Sequence, residues 1–130
     1  MSRRYNGTNM HAENPQKPTT AEYVERWLEL RKGDLASNTY ARYRTLAQNQ
    51  VVPYIGSVPL AELGPRCLEW LYQQLAIDGG ANGNPLRSAT IGQVHRFLHV
   101  CLERATTDGI LDNNPVDRVK SPRIVPRRNR

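Results

Sequence analysis

Apolar side chains recur every three or four positions in four separate stretches of this chain, the period of an amphipathic helix packed on a core. Tyr23, Val24, Trp27, Leu28 and Arg31 mark the first. Thr19-Thr20-Ala21-Glu22 stands ahead of it as a capping box, the Thr19 hydroxyl and the Glu22 carboxylate each able to satisfy a backbone N–H at the helix start. The pattern predicts a helix from about Thr20 to Lys32, closed by Gly33 in the left-handed conformation. Tyr40, Tyr43, Leu46 and Ala47 mark the second, predicted from Asn38 to Val51 with Ser37 as N-cap and Pro53 forcing its end. Its outward side carries Asn38, Ala41, Arg42, Thr45 and Asn49.

Gly64-Pro65 opens the third stretch, since proline at the first helical position loses no hydrogen bond there. Leu68, Leu71, Tyr72 and Leu75 form its stripe, and Asp78-Gly79-Gly80 stops it. Ser88 is read as the cap of the longest helix, about Ala89 to Thr107, with Ile91, Val94, Leu98, Cys101, Leu102 and Ala105 inward and Asp108-Gly109 as its exit. Gly92 within it costs about 1 kcal/mol of helix propensity against alanine and suggests a close backbone approach. Glycine and proline break the connections at 54–60 and 79–87, and Asn114-Pro115 starts one further short turn through Arg118. The expected fold is therefore all-α: four main helices plus a short C-terminal helical turn, with no sheet.

At 130 residues the chain has room for one core. The expected layout is a disordered arm at 1–18, a folded body at 19–118 and a basic linker at 119–130. No apolar run approaches a membrane span and no signal-peptide pattern is present, so a cytoplasmic protein with no membrane partner is expected. Asn6-Gly7-Thr8 fits a glycosylation acceptor, which matters only in an exported chain. Cys67 and Cys101 are read as buried, reduced thiols.

The net charge of +6 changes less than it first suggests. Arg118, Lys120, Arg123, Arg127, Arg128 and Arg130 supply 6 of the 18 basic residues with none of the 12 acidic ones. Residues 1–117 are then neutral, 12 cations against 12 acids. Position along the chain is more telling, because no acid falls between Asp34 and Glu62 or between Asp78 and Glu103. These gaps hold the second helix and the front of the fourth. Within them lie Arg42, Arg44, Arg87, Arg96, His95 and His99, with Asn38, Thr39, Thr45, Asn49, Ser88, Thr90 and Gln93 as hydrogen-bonding partners for phosphates or base edges. Carboxylates there would be repelled by a DNA backbone carrying one charge per ~1.7 Å. Ser37 and Ser88 mark helix starts, whose unpaired N–H groups favour a phosphate. Glu22, Glu25 and Glu29 turn the first helix away from such a partner.

His95 and His99 stand four apart, but Cys101, the nearest further ligand, lies on another helix face; neither a metal nor a cofactor is expected. Trp27 is read as core. Phe97 and Val100, off the main stripe, either complete the wide apolar face of a central helix or mark an interface, and an exposed Trp70 would also mark one.

The ordered string Thr19-Thr20-Ala21-Glu22-Tyr23 with Trp27-Leu28, Ser37-Asn38-Thr39 with Tyr43, Val52-Pro53-Tyr54-Ile55-Gly56, Pro59-Leu60, Ser88-Ala89-Thr90 and Asp108-Gly109-Ile110-Leu111-Asp112-Asn113-Asn114-Pro115-Val116 resembles the core-binding, SAM-like N-terminal domain of tyrosine recombinases, the phage integrases. The resemblance implies two crossed helix pairs, with the second and fourth helices facing the DNA major groove. It implies a C-shaped clamp closed around duplex DNA at recombination core sites by this domain and a catalytic domain beyond the linker, with other recombinase protomers as further partners. Thr39, Arg42, Ala89, Thr90 and Gln93 fall where family members touch DNA. The full expected site is Asn38, Thr39, Arg42, Thr45, Arg87, Ser88, Ala89, Thr90, Gln93 and Arg96. The family's tyrosine nucleophile belongs to the catalytic domain, so the chain as it stands is not expected to be an enzyme. A SAM-type protein-interaction or oligomerisation module is the alternative. A repressor-type helix-turn-helix fits poorly, because the connection at 79–87 is too long for its turn.

Overall fold

The computed structural model describes residues 17–120; most of the expected N-terminal arm and the tail from Ser121 lie outside the described residues. The capping box forms as the sequence predicts. Helix α1, Thr20–Arg31, starts with the Glu22 N–H donating to the Thr19 hydroxyl (3.1 Å) and the Thr19 N–H donating to the Glu22 carboxylate (3.0 Å). Its first turn is also fastened across the molecule, since the Thr20 N–H and hydroxyl both donate to the Val58 carbonyl at 2.8 Å. The Ala21 N–H donates to Gly56 O at 2.9 Å. These bonds replace a strand with a short clasp, an isolated Thr19–Pro59 bridge; no strand is present among the described residues.

Helix α2, Ser37–Leu46, departs from expectation at both ends. Ala36, in extended conformation, takes the capping position and its carbonyl accepts from the Tyr40 N–H at 2.9 Å. Ser37 is thus the first helical residue and does not cap. Nor does Pro53 end the helix. A π-helical turn, Ala47–Val51, widens the chain so that the Val52 N–H reaches back five residues to Ala47 O. Helix α3, Val52–Ile55, then continues with Pro53 in its first turn, where its missing N–H leaves no gap in the ladder.

A 3-10 turn at Leu60–Glu62 leads to α4, Pro65–Asp78, and a second one at Ala81–Gly83 leads to α5, Ser88–Thr107. Arg87 holds the capping position of α5, so Ser88, like Ser37, is the first helical residue and does not cap. Gly33 keeps a negative φ: tight turns onto Arg31 O from Asp34 N (3.0 Å) and Leu35 N (3.1 Å) close α1 without the left-handed residue expected there. Gly109, at φ +84°, does end α5 in that way.

Helix α5 is the axis of the bundle, packed by α2, the π turn, α4 and the C-terminal 3-10 turn Pro115–Arg118, while α1 packs on α2 and α3. Val94, Phe97, Leu98, Cys101, Leu102 and Ala105 on it are fully buried. Phe97 therefore belongs to the core. Its ring centroid lies 5.9 Å from Trp27 and 5.0 Å from Tyr43, so one aromatic cluster joins α1, α2 and α5. Trp70 is half-buried and set edge-on to Tyr54 at 6.4 Å. With both rings packed inward, the aromatic support for an interaction face is lost; Val100, 39% exposed, stays at the surface. Buried Asn114 secures the far end: its amide donates to His99 O and to the Glu103 carboxylate, both at 3.0 Å, and its oxygen accepts from the Val116 N–H at 3.0 Å. Val116 and Val119 are buried beside it.

Truncating Phe97→Ala removes the ring shared by three helices and is expected to lower unfolding stability by about 3–5 kcal/mol, against ~0.5 kcal/mol or less for Val100→Ala, as read from urea denaturation followed by circular dichroism.

Candidate nucleic-acid interface

The aromatic cluster sets α2 alongside the first two turns of α5, and an open groove of about 650 Å³ lies between them. Asn38, Ala41, Arg42, Thr45 and Asn49 form one wall, Thr90 and Gln93 the other, with Leu46 and Gln50 at the base. Helical spacing accounts for the first wall, because 38, 41, 42, 45 and 49 share a face of a rod that buries Leu46 and Ala47. The buried Gln50 amide donates to Gly79 O at 3.3 Å, so the π turn holds the end of α4 beneath the groove. Across the opening the Arg42 guanidinium donates from Nη1 to Gln93 Oε1 at 3.2 Å.

Among the described residues Arg42 is the single charged side chain of this lining, and no carboxylate is part of it. The carboxylates are on the opposite side of α2. Arg44 lies there, donating from Nη1 and Nη2 to the two oxygens of Glu25 at 3.1 Å each and from Nη2 to Glu29 at 3.5 Å. Its Nε also donates to the Tyr40 hydroxyl at 3.1 Å. These bonds hold the Glu25 carboxyl below its ordinary range and raise the already high affinity of Arg44 for its proton. Arg44, counted by sequence among the cations free for phosphate, is thus taken up by the acids of α1. The acid-free stretch of sequence is not acid-free in space on this face.

Of the ten expected site residues, the groove gathers Asn38, Arg42, Thr45, Thr90 and Gln93. Arg87, Ser88 and Ala89 are exposed at the start of α5, outside the lining, as is Arg96 one turn beyond Gln93. Thr39 is half-buried and off the wall. Ala41 and Asn49 line the groove but are missing from the expected site, although helical spacing had placed both on the outward face. Gln50 had no signal in the sequence, since its position depends on the π turn.

Residues 19–76 match the family model described as phage integrase, N-terminal SAM-like domain. Two solution structures share the whole architecture. One is the phage integrase SAM-like domain from Moorella thermoacetica, 28% identical, with TM-score 0.68 over 91% of this chain and 97% of that one. The other is the integrase-like domain from Bacillus cereus, 21% identical, with TM-score 0.72 over 84% and 87% respectively. Over residues 19–76 the chain is similar to the phage integrase SAM-like domain, and its folded body has the fold of those solved domains. None of the curated proteins matches the chain.

The other candidate residues have structural partners. His95 Nδ1 meets the Tyr72 hydroxyl at 2.8 Å between α4 and α5, and His99 Nε2 meets Asp117 at 3.2 Å, so neither histidine lines the groove. His99, Glu103 and Asp117 do bring their ligand atoms within 4.8 Å of one another, all three exposed. Cys67 and Cys101 are free and buried, as their helical stripes predict. Burial pushes the Cys67 thiol up to about 12 and the Cys101 thiol higher, leaving both protonated. Burial likewise pushes the Tyr23 hydroxyl up to about 12 and raises that of Tyr72, the reverse of what an activated nucleophile needs. Among the described residues no helix is long and apolar enough to cross a membrane.

Burial first, then the nearby His99 and Arg96, lowers the His95 pKa below its ordinary 6.5. A histidine whose folded pKa is depressed stabilises the fold above its unfolded pKa and loses that contribution as pH falls through the folded value. Stability is expected to decline from about pH 6.5 downward, and the difference between the wild type and His95→Gln, measured by denaturant unfolding at a series of pH values, should shrink over that interval. A His95 imidazole that titrates by NMR at or above 6.5 would contradict this.

Proposed function

We propose that the domain grips duplex DNA at recombination core sites through the α2–α5 groove, as the N-terminal half of a clamp. In this reading a catalytic domain beyond the basic linker 119–130 supplies the other half and all the bond-breaking chemistry. Further recombinase protomers are partners of the assembled protein. The observation that carries the proposal is the groove itself: polar walls from two helices, one cation that is not neutralised by an acid, and no carboxylate in the lining.

Physical chemistry supports the orientation. Helix starts at Ser37 and Ser88 lie on exposed backbone, and Asn38 and Thr90, one and two positions on, are groove residues. Their unpaired N–H groups and the positive ends of the helix dipoles favour phosphates that flank a base edge held in the groove. In this reading Arg87 and Arg96, both exposed, contact phosphates beside the groove, with Ser88, Ala89 and Thr39 around the helix starts. Glu25 and Glu29 of α1 face the other way and share an ion pair with Arg44.

Titration of the 130-residue chain with duplex DNA, followed by amide NMR at low and moderate salt, tests this. Shifts confined to α2 and the front of α5 are expected, with affinity falling steeply as salt rises. Arg42→Ala should weaken binding several-fold, while Glu25→Gln should leave affinity within about twofold. Absence of shifts in α2 and α5 at low salt would rule the interface out.

A further inference from the structure

The Arg42–Gln93 hydrogen bond has a chemical consequence that depends on which atoms it uses. Arginine only donates, so the amide oxygen of Gln93 is the atom that faces the guanidinium. One lone pair of that oxygen is thereby taken, and the guanidinium stands beside it. Between Arg42 and Gln93 a partner meets mainly donors, the other N–H groups of Arg42 and the NH₂ of Gln93, across an opening whose lining also includes Asn38, Thr45, Asn49 and Thr90.

Base edges in the major groove differ in the pattern they require. Guanine presents two adjacent acceptors, N7 and O6; adenine presents an acceptor and a donor, N7 and N6. A free glutamine reads adenine by donating to N7 and accepting from N6. In this groove that oxygen already accepts from Arg42, and an adenine N6 amino group approaching its second lone pair would meet the N–H groups of the guanidinium beside it. A guanine meets donors at both of its acceptors. We infer that Arg42 and Gln93 act as one unit that reads guanine, and that Arg42 disfavours adenine by setting its N–H donors beside the Gln93 oxygen, where the adenine N6 amino group would have to arrive. The inference rests on the DNA-binding reading above and adds the base that the groove selects. Half-burial of Gln93 and its bond to Arg42 hold both side chains before the partner arrives, which lowers the ordering cost of the contact.

The test selects duplexes from a random pool with the wild-type chain and with Arg42→Ala at low salt. Wild type should fix a guanine at one position and disfavour the other bases by about tenfold or more. Arg42→Ala frees the Gln93 oxygen, so adenine should replace guanine at that position instead of the preference merely fading. Replacing the selected guanine with 7-deazaguanine, which removes the N7 acceptor and keeps base pairing, should weaken the wild type about tenfold and leave Arg42→Ala unchanged. Three outcomes overturn the inference. If Arg42→Ala lowers affinity equally on every sequence, Arg42 contacts phosphate and the DNA-binding reading stands alone. If the guanine preference survives Arg42→Ala, another residue reads it. If no duplex is bound by the wild type, both readings fall.

Discussion

Contact between three aromatic rings determines most of what this domain can do. Trp27, Tyr43 and Phe97 come from helices far apart in sequence, and their centroids lie 5.0 to 5.9 Å apart. Ring pairs at such distances add about 0.5–1.5 kcal/mol each beyond the area they bury. Their larger effect is geometric. Tyr43 and Phe97 fix the distance between α2 and α5, and the groove is the space left above that contact. Arg42 and Gln93 are one residue before Tyr43 and four before Phe97, so the pair that bridges the groove is carried on the same two helical turns as the rings that set its width.

Helix α2 shows how two neighbouring arginines acquire opposite roles from one period. Arg42 and Arg44 are two residues apart, about 200° around the helix axis. One faces the groove and a neutral amide; the other faces α1 and two carboxylates. The arrangement sequesters the acids of α1 without spending the groove's own cation. Removing Glu25 and Glu29 would therefore release a second guanidinium on the far side of α2, away from the groove.

Much of this was legible in the chain. The capping box, the apolar stripes of α1, α4 and α5, and the left-handed Gly109 each follow from local rules that tertiary structure left untouched. The polar face of α2 was equally readable, because 38, 42 and 45 keep helical phase. What failed was of two kinds. Local signals were outweighed by a neighbouring alternative: Ala36 and Arg87 capped helices that Ser37 and Ser88 were expected to cap, and a π turn carried the chain through Pro53. The second kind is contact at a distance. Nothing in the one-dimensional gap between Asp34 and Glu62 reveals that Glu25 and Glu29 fold against Arg44, or that His95 turns to Tyr72. A charge map drawn along the chain must therefore be redrawn on the surface before its cations are counted as free.

Asn114 gives the domain a fixed reference point. Its amide is tied to the carbonyl of His99 and the carboxylate of Glu103, both on α5, and its oxygen orients the turn that follows. Gln93 and Glu103 are ten residues apart on the same helix, roughly 15 Å. The groove and the turn at Asn114 are thus two marks on a single ruler. The place where the described residues end, beside the buried Val119, is set relative to the groove by the packing of that turn on α5.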